Sequence, residues 1–480
     1  MRETDSNGRP PENSQNLAQN HQSGKRITRE RILWIGLATV LISLLVILSF
    51  APRVMAQGSE KSTRDYLNMF NWVFQFIQKH YADEDKADPQ RLVEGALKGM
   101  LESLDDPHSA YLSPEEMRRL RDDTQGEFGG VGIYILKTNK GVEVARPIDG
   151  TPAKRAGISA GDVIIAVEGE SIKDFTIDEV VNRLRGRAGS PVTMTVLRGD
   201  SYSFDITIVR EMIEVPTVRQ AMISDDIAYL YIIKFTPMTL ERVEDALNYF
   251  KQEDYSSLIL DVRSNPGGLL SSVVDVSDLF LERGQVIVST KSRIPSENRV
   301  FRAGKPPVVD EEIEMIVLID KYSASAAEIL TGALKDTGRA SIMGETSYGK
   351  GSVQQIINVD GGGFRLTTSK YYTPSGASID SVGITPDRVI EREDFSQDEI
   401  ESYGKLLELN AVKDFLKEHP EPSKADIDSF ILSLRTKGIV VRQERIEKDI
   451  RDEWNRIHNI DTVYDLEYDT VLKEAVKALQ

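Results

Sequence analysis

The sequence predicts an α/β core that follows a compact β-rich module, with helical segments before and after the two. Three observations carry this prediction. Apolar strands alternate with amphipathic helices over residues 212–392, a pattern typical of an α/β layer whose functional groups gather at the strand ends. Short strand-like runs separated by glycine turns fill residues 126–211. Residues 57–125 and 393–480 carry helical patterns rich in charge.

The N-terminal end divides into a polar tail and an apolar stretch. Residues 1–31 are rich in Asn, Gln, Arg and Glu, so we expect a disordered cytoplasmic tail. Residues 32–52 carry no charge over a length that can span the ~30 Å hydrocarbon core of a bilayer. Because Lys and Arg residues directly precede this stretch, the rest of the chain is expected outside the cytoplasm, on the periplasmic side of an inner membrane. We favour an uncleaved transmembrane anchor, and a signal segment cleaved after Ala56 is the alternative.

Three helices are predicted between the apolar stretch and the β-rich module. The stretch YLNMFNWVFQFIQKHY places its apolar residues at helical spacing. Asp88 followed by Pro89 predicts the start of a second helix. Ser113, with two glutamates in the turn that follows, predicts the start of a third.

Composition argues against several classes of chemistry. The net charge of −17 leaves no basic surplus to neutralise phosphates, which argues against a nucleic-acid binder. The absence of cysteine excludes thiol nucleophiles, disulfides and Cys-ligated zinc. The five histidines are scattered and form no HExxH pattern, so we expect no metal-centred hydrolase.

The stretch GETSYGKGS, from Gly344 to Ser352, resembles a phosphate-binding loop only at first sight. Such a loop needs Ser or Thr after its lysine and then a helix, whereas Gly351 follows Lys350 and the next residues favour a strand. A lysine can instead take a proton from a serine if burial lowers its pKa by several units from ~10.4. The flanking glycines would let backbone exclude water from the amine, and the Gln354 amide oxygen would aim it. A solvated turn lysine is the structural alternative.

The nucleophile candidate is Ser325, which enters a predicted helix after a buried apolar strand. Ser325 and Glu328 also match a capping box, so an ordinary helix cap is the alternative explanation. A nucleophilic serine needs donors for the oxyanion of the tetrahedral intermediate. The N–H of Ala326, at the head of the helix, is one candidate, and the NPGG turn offers a second from Gly267 or Gly268.

Together these segments resemble the carboxyl-terminal processing (tail-specific) serine proteases. The matching segments are LILDVRSNPGGLL, KYSASAAEILTGAL, GETSYGKGSVQQ, LDDPHSAYLSPEE and a PDZ-like stretch that begins with GGVGI. They cover roughly residues 65–390 in the family's order. The resemblance implies a ClpP/crotonase-like α/β core in residues 212–392, an embedded PDZ domain in residues 126–211 and a Ser–Lys dyad. It implies no metal and no nucleotide cofactor.

The resemblance also assigns the catalytic residues. It implies the nucleophile, the base, the residue that orients the base and the two oxyanion donors, which are Ser325, Lys350, Gln354, Gly268 and Ala326 respectively. Ser323 matches the non-catalytic serine of the motif. Ala327 is a minor departure, because the family often has serine there. Residues 393–480, an accessory helical region, carry no matching motif.

The PDZ-like module implies how substrates are chosen. Gly129, Gly130, Val131, Gly132 and Ile133 resemble the loop that grips a terminal carboxylate through backbone N–H groups, while the peptide adds to the sheet as a strand. We therefore expect a serine endopeptidase that acts on exported or envelope proteins with exposed C-termini. Its activity would be switched by the bound peptide or by a regulatory partner, and its helical ends are candidates for homo-oligomer contacts. A catalytically silent PDZ adaptor in the cell envelope is the alternative.

Overall fold

The computed structural model describes residues 29–55, 62–138, 141–148, 150–199, 201–359, 362–391, 396–458 and 460–480. The chain divides into two compact units, residues 1–93 and residues 94–480. Most of the predicted tail and the alternative cleavage site at Ala56 lie outside the described residues.

The N-terminal part is helical where it is described. Its elements are α1 (Arg29–Met55), α2 (Thr63–His80), a short 3-10 turn (Glu84–Lys86) and α3 (Pro89–Glu102). The predicted anchor, residues 32–52, falls within α1. Among the residues that the structure describes, no helix combines the length and the apolarity needed to cross a bilayer.

Capping residues start the helices where the sequence predicts. The Arg91 N–H donates to Asp88 Oδ1 at 2.9 Å, which fixes the start of α3. A short strand, β1 (Ala110–Leu112), precedes α4 (Pro114–Gln125). Ser113 and Glu116 form the capping box of α4, and Gly126 ends the helix in the left-handed region at φ 73°.

In its described part, the β-rich module holds a six-stranded sheet, a separate pair of strands and two helices. Its elements are β2 (Glu127–Gly130), β3 (Ile133–Thr138), β4 (Gly141–Pro147), α5 (Pro152–Arg155), β5 (Val163–Val167), β6 (Glu170–Ser171), α6 (Ile177–Leu184), β7 (Pro191–Arg198), β8 (Tyr202–Val209) and β9 (Glu211–Glu214). The strand order is β3-β4-β5-β7-β8, with β6 paired to β5. Strand β3 is therefore an edge strand, and β2 pairs separately with β9.

The α/β core holds a mostly parallel sheet and a second, antiparallel sheet. Its elements are β10 (Val218–Met222), β11 (Ile227–Ile232), α7 (Thr239–Gln252), β12 (Ser257–Asp261), α8 (Leu270–Asp278), β13 (Val286–Ser292), β14 (Arg299–Arg302), β15 (Glu314–Ile319), α9 (Ala326–Asp336), β16 (Ser341–Gly344), β17 (Ser352–Val359), β18 (Gly362–Tyr372) and β19 (Arg388–Val389). The main sheet has the order β10-β11-β12-β15-β16-β19, parallel from β11 onward. Side chains of α7, α8 and α9 cover one of its faces.

Two features of the core differ from the sequence-based expectation. The stretch LLSSVVDVSDLFLERG predicts a helix that stops at Gly284. Helix α8 instead ends at Asp278, and the Leu279 carbonyl accepts the Val308 N–H at 2.8 Å. The antiparallel sheet, of order β1-β18-β13-β14 with β17 on β18, was not predicted. Its strands pair across long stretches of chain, which local patterns do not reveal.

The described residues from 396 onward form five helices in two settings. They are α10 (Gln397–Glu408), α11 (Ala411–Glu418), α12 (Lys424–Thr436), α13 (Gln443–Ile457) and α14 (Thr470–Ala478). The first four share a small core of their own. Helix α14 instead packs through Val471, Leu472 and Ala475 on the second face of the main sheet. Both faces of that parallel sheet are thus covered, as such sheets require.

Candidate active site

Ser325 lies between β15 and α9 with a strained main chain. Its φ and ψ are 56° and −111°, whereas the serine N-caps Ser113 and Ser423 have extended values. A non-glycine residue in such a region costs of order 1–3 kcal/mol and persists only where the surroundings enforce it. Ser325 is 7% exposed, and its N–H donates to the Glu328 side chain, as in a capping box. The predicted cap is therefore real, but its backbone is not that of an ordinary cap.

Glu328 links the serine loop, residues 320–325, to the lysine loop, residues 345–351. Its Oε2 accepts the N–H of Ser325 at 2.7 Å and the N–H of Lys350 at 2.9 Å. Its Oε1 accepts the Gly349 N–H and the Ser347 hydroxyl, each at 2.6 Å. Because one oxygen binds both backbone nitrogens, these cannot lie farther apart than the sum of the two distances. The two predicted catalytic residues are thus neighbours in space although 25 positions separate them in the sequence.

The side chain of Lys350 is half-buried in the lysine loop. Burial lowers the pKa of its amine, the positive charge of Arg365 lowers it further, and Glu328 opposes the shift. The flanking glycine Gly351 is packed against backbone, since a Cβ there would lie 2.2 Å from the Asp380 nitrogen. Close packing on this side therefore depends on glycine, as the sequence predicts.

Two backbone N–H groups beside Ser325 are available to an oxyanion. Within the described residues, neither the Gly268 N–H nor the Ala326 N–H has a hydrogen-bond acceptor. The Gly267 N–H is already bound to Asn265 Oδ1 at 2.8 Å, which favours Gly268 as the donor in the turn. Gly267 also packs against Ser325, because a Cβ there would lie 2.8 Å from that of Ser325. This geometry suits the stabilisation of negative charge.

Ser323 ties the serine loop to the turn that carries Gly268. Its hydroxyl donates to the Val262 carbonyl at 2.8 Å and accepts the Asp320 N–H at 2.9 Å. The Ala324 N–H donates to the Asn265 carbonyl at 2.9 Å. Ser323 is fully buried, and its bonds explain a structural role for this second serine of the motif.

Gln354 lies on β17, and its side-chain amide is directed at neighbours other than the lysine. The amide nitrogen donates to Ser352 Oγ at 2.8 Å and to Thr367 Oγ1 at 3.3 Å. No hydrogen bond joins Gln354 to Lys350 within the described part of the chain. The orienting role of Gln354 therefore stays a prediction.

The segment before α4, which contains His108, lies near Lys350. The sequence alone did not indicate this proximity. His108 stands in the stretch LDDPHSAYLSPEE, among the predicted N-terminal helices. Burial lowers the pKa of His108, and the charge of Lys350 lowers it further, so the two are close enough to interact. The His108 carbonyl accepts the Arg365 Nε–H at 2.8 Å, and β1 pairs with β18. The motif LDDPHSAYL was the available signal, but only the pairing of β1 with β18 shows where it lies.

The glycine loop of the β-rich module presents free N–H groups beside an edge strand. The carbonyls of Gly129, Val131 and Gly132 all accept hydrogen bonds from the module itself, at 2.9–3.0 Å. The Val131 and Gly132 N–H groups have no acceptor among the described residues. Gly132 has φ 81°, and a Cβ there would lie 2.3 Å from that of Thr151. The loop leads directly into β3, where an added strand could pair.

Comparison with known proteins identifies the two modules. Family models match the chain as Peptidase family S41 over residues 226–390, a PDZ domain over residues 143–198 and an activating protease CtpB N-terminal domain over residues 50–116. The chain is 43% identical over 357 residues to the carboxy-terminal-processing protease of Bartonella bacilliformis, covering 72% of this chain and 81% of that protein. It is 31% identical over 388 residues to the carboxy-terminal processing protease CtpA of Bacillus subtilis, covering 80% of each. Among solved structures it is similar to a photosystem II D1 C-terminal processing protease, with 27% identity, a TM-score of 0.42, and 71% of this chain and 96% of that one covered.

Proposed function

The chain belongs to the carboxy-terminal processing proteases of peptidase family S41, which carry a PDZ domain, and from this premise we propose that it cuts proteins with a Ser325–Lys350 dyad. The single observation that carries the proposal is the Glu328 oxygen that binds the backbone of both residues. The strained backbone of Ser325 and the lowered pKa of Lys350 support the same assignment.

In the proposed mechanism, the neutral Lys350 amine takes the proton of the Ser325 hydroxyl as the Ser325 oxygen attacks the peptide carbonyl. The N–H groups of Gly268 and Ala326 bind the oxyanion of the tetrahedral intermediate. The Lys350 ammonium then donates its proton to the leaving amine. Lysine next takes a proton from water as the water attacks the acyl-enzyme, and it returns that proton to the Ser325 oxygen as the acyl group leaves.

We propose that the PDZ domain selects substrates by their C-termini. The free N–H groups of Val131 and Gly132 would bind the terminal carboxylate, and the peptide would extend along the edge strand β3. The half-buried Ile133, Ile135 and Ile177 would contact apolar terminal side chains. Substrates with unstructured apolar tails would thus be held by the PDZ domain and cut upstream.

The proposal is tested with casein and with a peptide that ends in a free apolar C-terminus. The protein is expected to cleave both, and Ser325→Ala is expected to cleave neither while keeping its thermal stability. An amidated C-terminus should slow cleavage of the peptide, because the carboxylate is lost. Equal peptide loss with the protein and with Ser325→Ala would reject the dyad. Tail binding without any cleavage by the unaltered protein would favour a scaffold.

The finer fold assignment and the domain limits are proposals of the same kind. The parallel strands β11, β12, β15 and β16, with helices α7, α8 and α9 on one face, support a ClpP/crotonase-like core over residues 212–392. The sheet from β3 to β8 supports a PDZ domain over residues 126–211.

We propose that the protease acts outside the cytoplasm. The support is the basic cluster followed by the uncharged residues 32–52, together with the absence of cysteine. Sequencing of the N-terminus of the mature protein, after separation of membrane and soluble fractions, would test this location.

A further inference from the structure

The turn that carries Gly268 begins at a charged cluster that is nearly excluded from water. Arg263 donates from Nε to both oxygens of Asp261 at 3.0 Å, and its backbone N–H adds a bond at 2.9 Å. Asp261 also accepts the Tyr229 hydroxyl at 2.8 Å. The side chains of Arg263 and Asp261 are 8% and 2% exposed. A buried guanidinium next to one carboxylate still has donors that need partners.

The remaining partner comes from the far end of the chain. Asp469 accepts from Arg263 Nη1 at 2.9 Å and lies 2.7 Å from its Nη2. Asp469 is also the N-cap of α14, where it accepts the Leu472 N–H at 3.0 Å. The N-cap residue of α14 therefore binds Arg263, the first residue of the turn that carries Gly268.

The turn from Arg263 to Gly268 is fixed at successive points. Ser264 has φ 57°, and its N–H donates to Asp320 at 2.8 Å. The Asn265 side chain binds the Ile232 carbonyl and the Gly267 N–H, each at 2.8 Å. Gly267 then touches Ser325. Loosening at Arg263 is expected to reach Gly268 because the segment between them is short and a positive-φ residue follows Arg263 directly.

We propose that Asp469 is a positioning residue for catalysis: the buried Asp469–Arg263 pair holds the turn that presents the Gly268 N–H to the oxyanion. The inference rests on the proposed function for its catalytic consequence. It also gives the C-terminal segment, which lies beyond the matched peptidase region, a part in the site.

The test compares Asp469, the N-cap of α14, with Glu474 within α14. Each of these carboxylates binds an arginine. Asp469→Asn keeps a good N-cap residue and removes the charge that binds Arg263. Glu474→Gln removes a carboxylate that pairs with Arg388 and Lys477 instead of Arg263. We expect Asp469→Asn to lower kcat about tenfold to a hundredfold with little change in KM, because a misplaced oxyanion donor weakens transition-state binding. Glu474→Gln should retain the kcat of the unaltered protein.

A second readout does not depend on proteolysis. Hydrogen exchange of the backbone amides of residues 262–269 should be faster in Asp469→Asn and unchanged in Glu474→Gln. Unchanged exchange in Asp469→Asn would overturn the inference, whether or not the protein is active. A kcat loss fully explained by a smaller folded fraction would overturn it as well. If exchange responds as expected but Ser325→Ala still cleaves, the proposed dyad fails and the positioning of the turn stands.

Discussion

At the residue scale, Glu328 accepts four hydrogen bonds, and all four donors belong to the loops of Ser325 and Lys350. Four donors around one carboxylate match the ionised form, although burial raises the pKa of Glu328. The Ser347 hydroxyl can donate to it because Ser347 Oγ itself accepts the Ile384 N–H at 2.6 Å. The carboxylate is thus a fixed link between the proposed nucleophile and the proposed base.

Glu328→Gln is expected to lower kcat about a hundredfold with a smaller effect on KM. Its amide has one acceptor oxygen, so two of the four donors would face another donor in a buried site, at about 1–3 kcal/mol each. The acid limb of the activity profile should also move to lower pH, because the charge that raises the pKa of Lys350 is lost. Rates measured across pH check both effects.

Glu116→Gln is the matched control for this change, since Glu116 forms the same kind of capping box with Ser113 away from the dyad. It should alter neither kcat nor its pH dependence. A Glu328→Gln variant with an unaltered kcat and profile would contradict the linking role.

Lys350→Met should abolish proteolysis and raise stability at neutral pH. Burial lowers the pKa of Lys350 from 10.5, so between the folded and unfolded values the unfolded chain binds more protons. Stability of the unaltered protein therefore rises with pH through this window, and the cost of the buried charge is fully present below it. Methionine removes that cost, so Lys350→Met should be the more stable protein at pH 7, and its advantage should shrink toward pH 10.5.

Urea unfolding at several pH values measures this difference. Lys251→Met, at an exposed position of α7, is the control and should change neither stability nor activity. A Lys350→Met variant less stable than the unaltered protein at pH 7 would show that the amine is charged and well solvated.

The residues of the site were predictable in part, for physical reasons. Ser325, Lys350 and the NPGG turn could be predicted because the glycines and the helix cap around them are visible in the local sequence. The contact of Glu328 with both loops was not predictable, because its other hydrogen-bond donors lie 19 to 22 positions away in the sequence. The sequence indicated Glu328 only as a cap, and only the fold shows what else it binds.

At the element scale, apolar strands bounded by turn signals were predictable and long-range pairings were not. Strands β12, β15 and β16 match the apolar runs SLILDVR, EMIVLID and ASIMGE, since each is a short buried run in a parallel sheet. Strand β18 mixes apolar and polar residues and pairs with β1, more than 250 positions before it. Helix α14 was expected in an accessory region, but its apolar stripe completes the second face of the main sheet.

The turn between β12 and α8 gives a prediction at this scale. Gly267→Ala should strongly reduce activity, because a Cβ would lie 2.8 Å from that of Ser325 and 3.0 Å from the Ala326 nitrogen. Gly284 has a similar φ, 93° against 102°, but nothing within 4 Å of its Cβ position. Gly284→Ala should therefore show only the backbone cost of about 1 kcal/mol.

The two alanine variants are compared by thermal unfolding and by the rate of labelling with a fluorophosphonate, which reports the reactivity of Ser325. Slow labelling is expected for Gly267→Ala alone. Equal labelling rates in the two variants would mean that the turn does not shape the serine site.

At the scale of the whole molecule, the PDZ domain is joined by charge to the C-terminal helices. Glu143 on β4 binds Lys413 of α11 at 2.8 and 3.0 Å, and Arg456 of α13 lies 4.0 Å away. The Glu143 side chain is only 13% exposed, so salt screens this pair less than an open surface pair. A second pair joins Arg146 to Asp461 at 3.4 Å.

Lys413→Met should loosen the PDZ domain from the helical region, because it leaves Glu143 without its nearest cation while the domain stays folded. Domains held by a few polar contacts move readily once those contacts are lost. Limited proteolysis between β8 and β10 should be faster in Lys413→Met, and high salt should speed the same cleavage in the unaltered protein. Lys417→Met, one turn further along α11 and paired with Asp414 at 2.8 Å, is the matched control. Equal cleavage rates in the two variants would mean that the Glu143 contact does not hold the domain, and the domain's position would then depend on its apolar contacts and linkers alone.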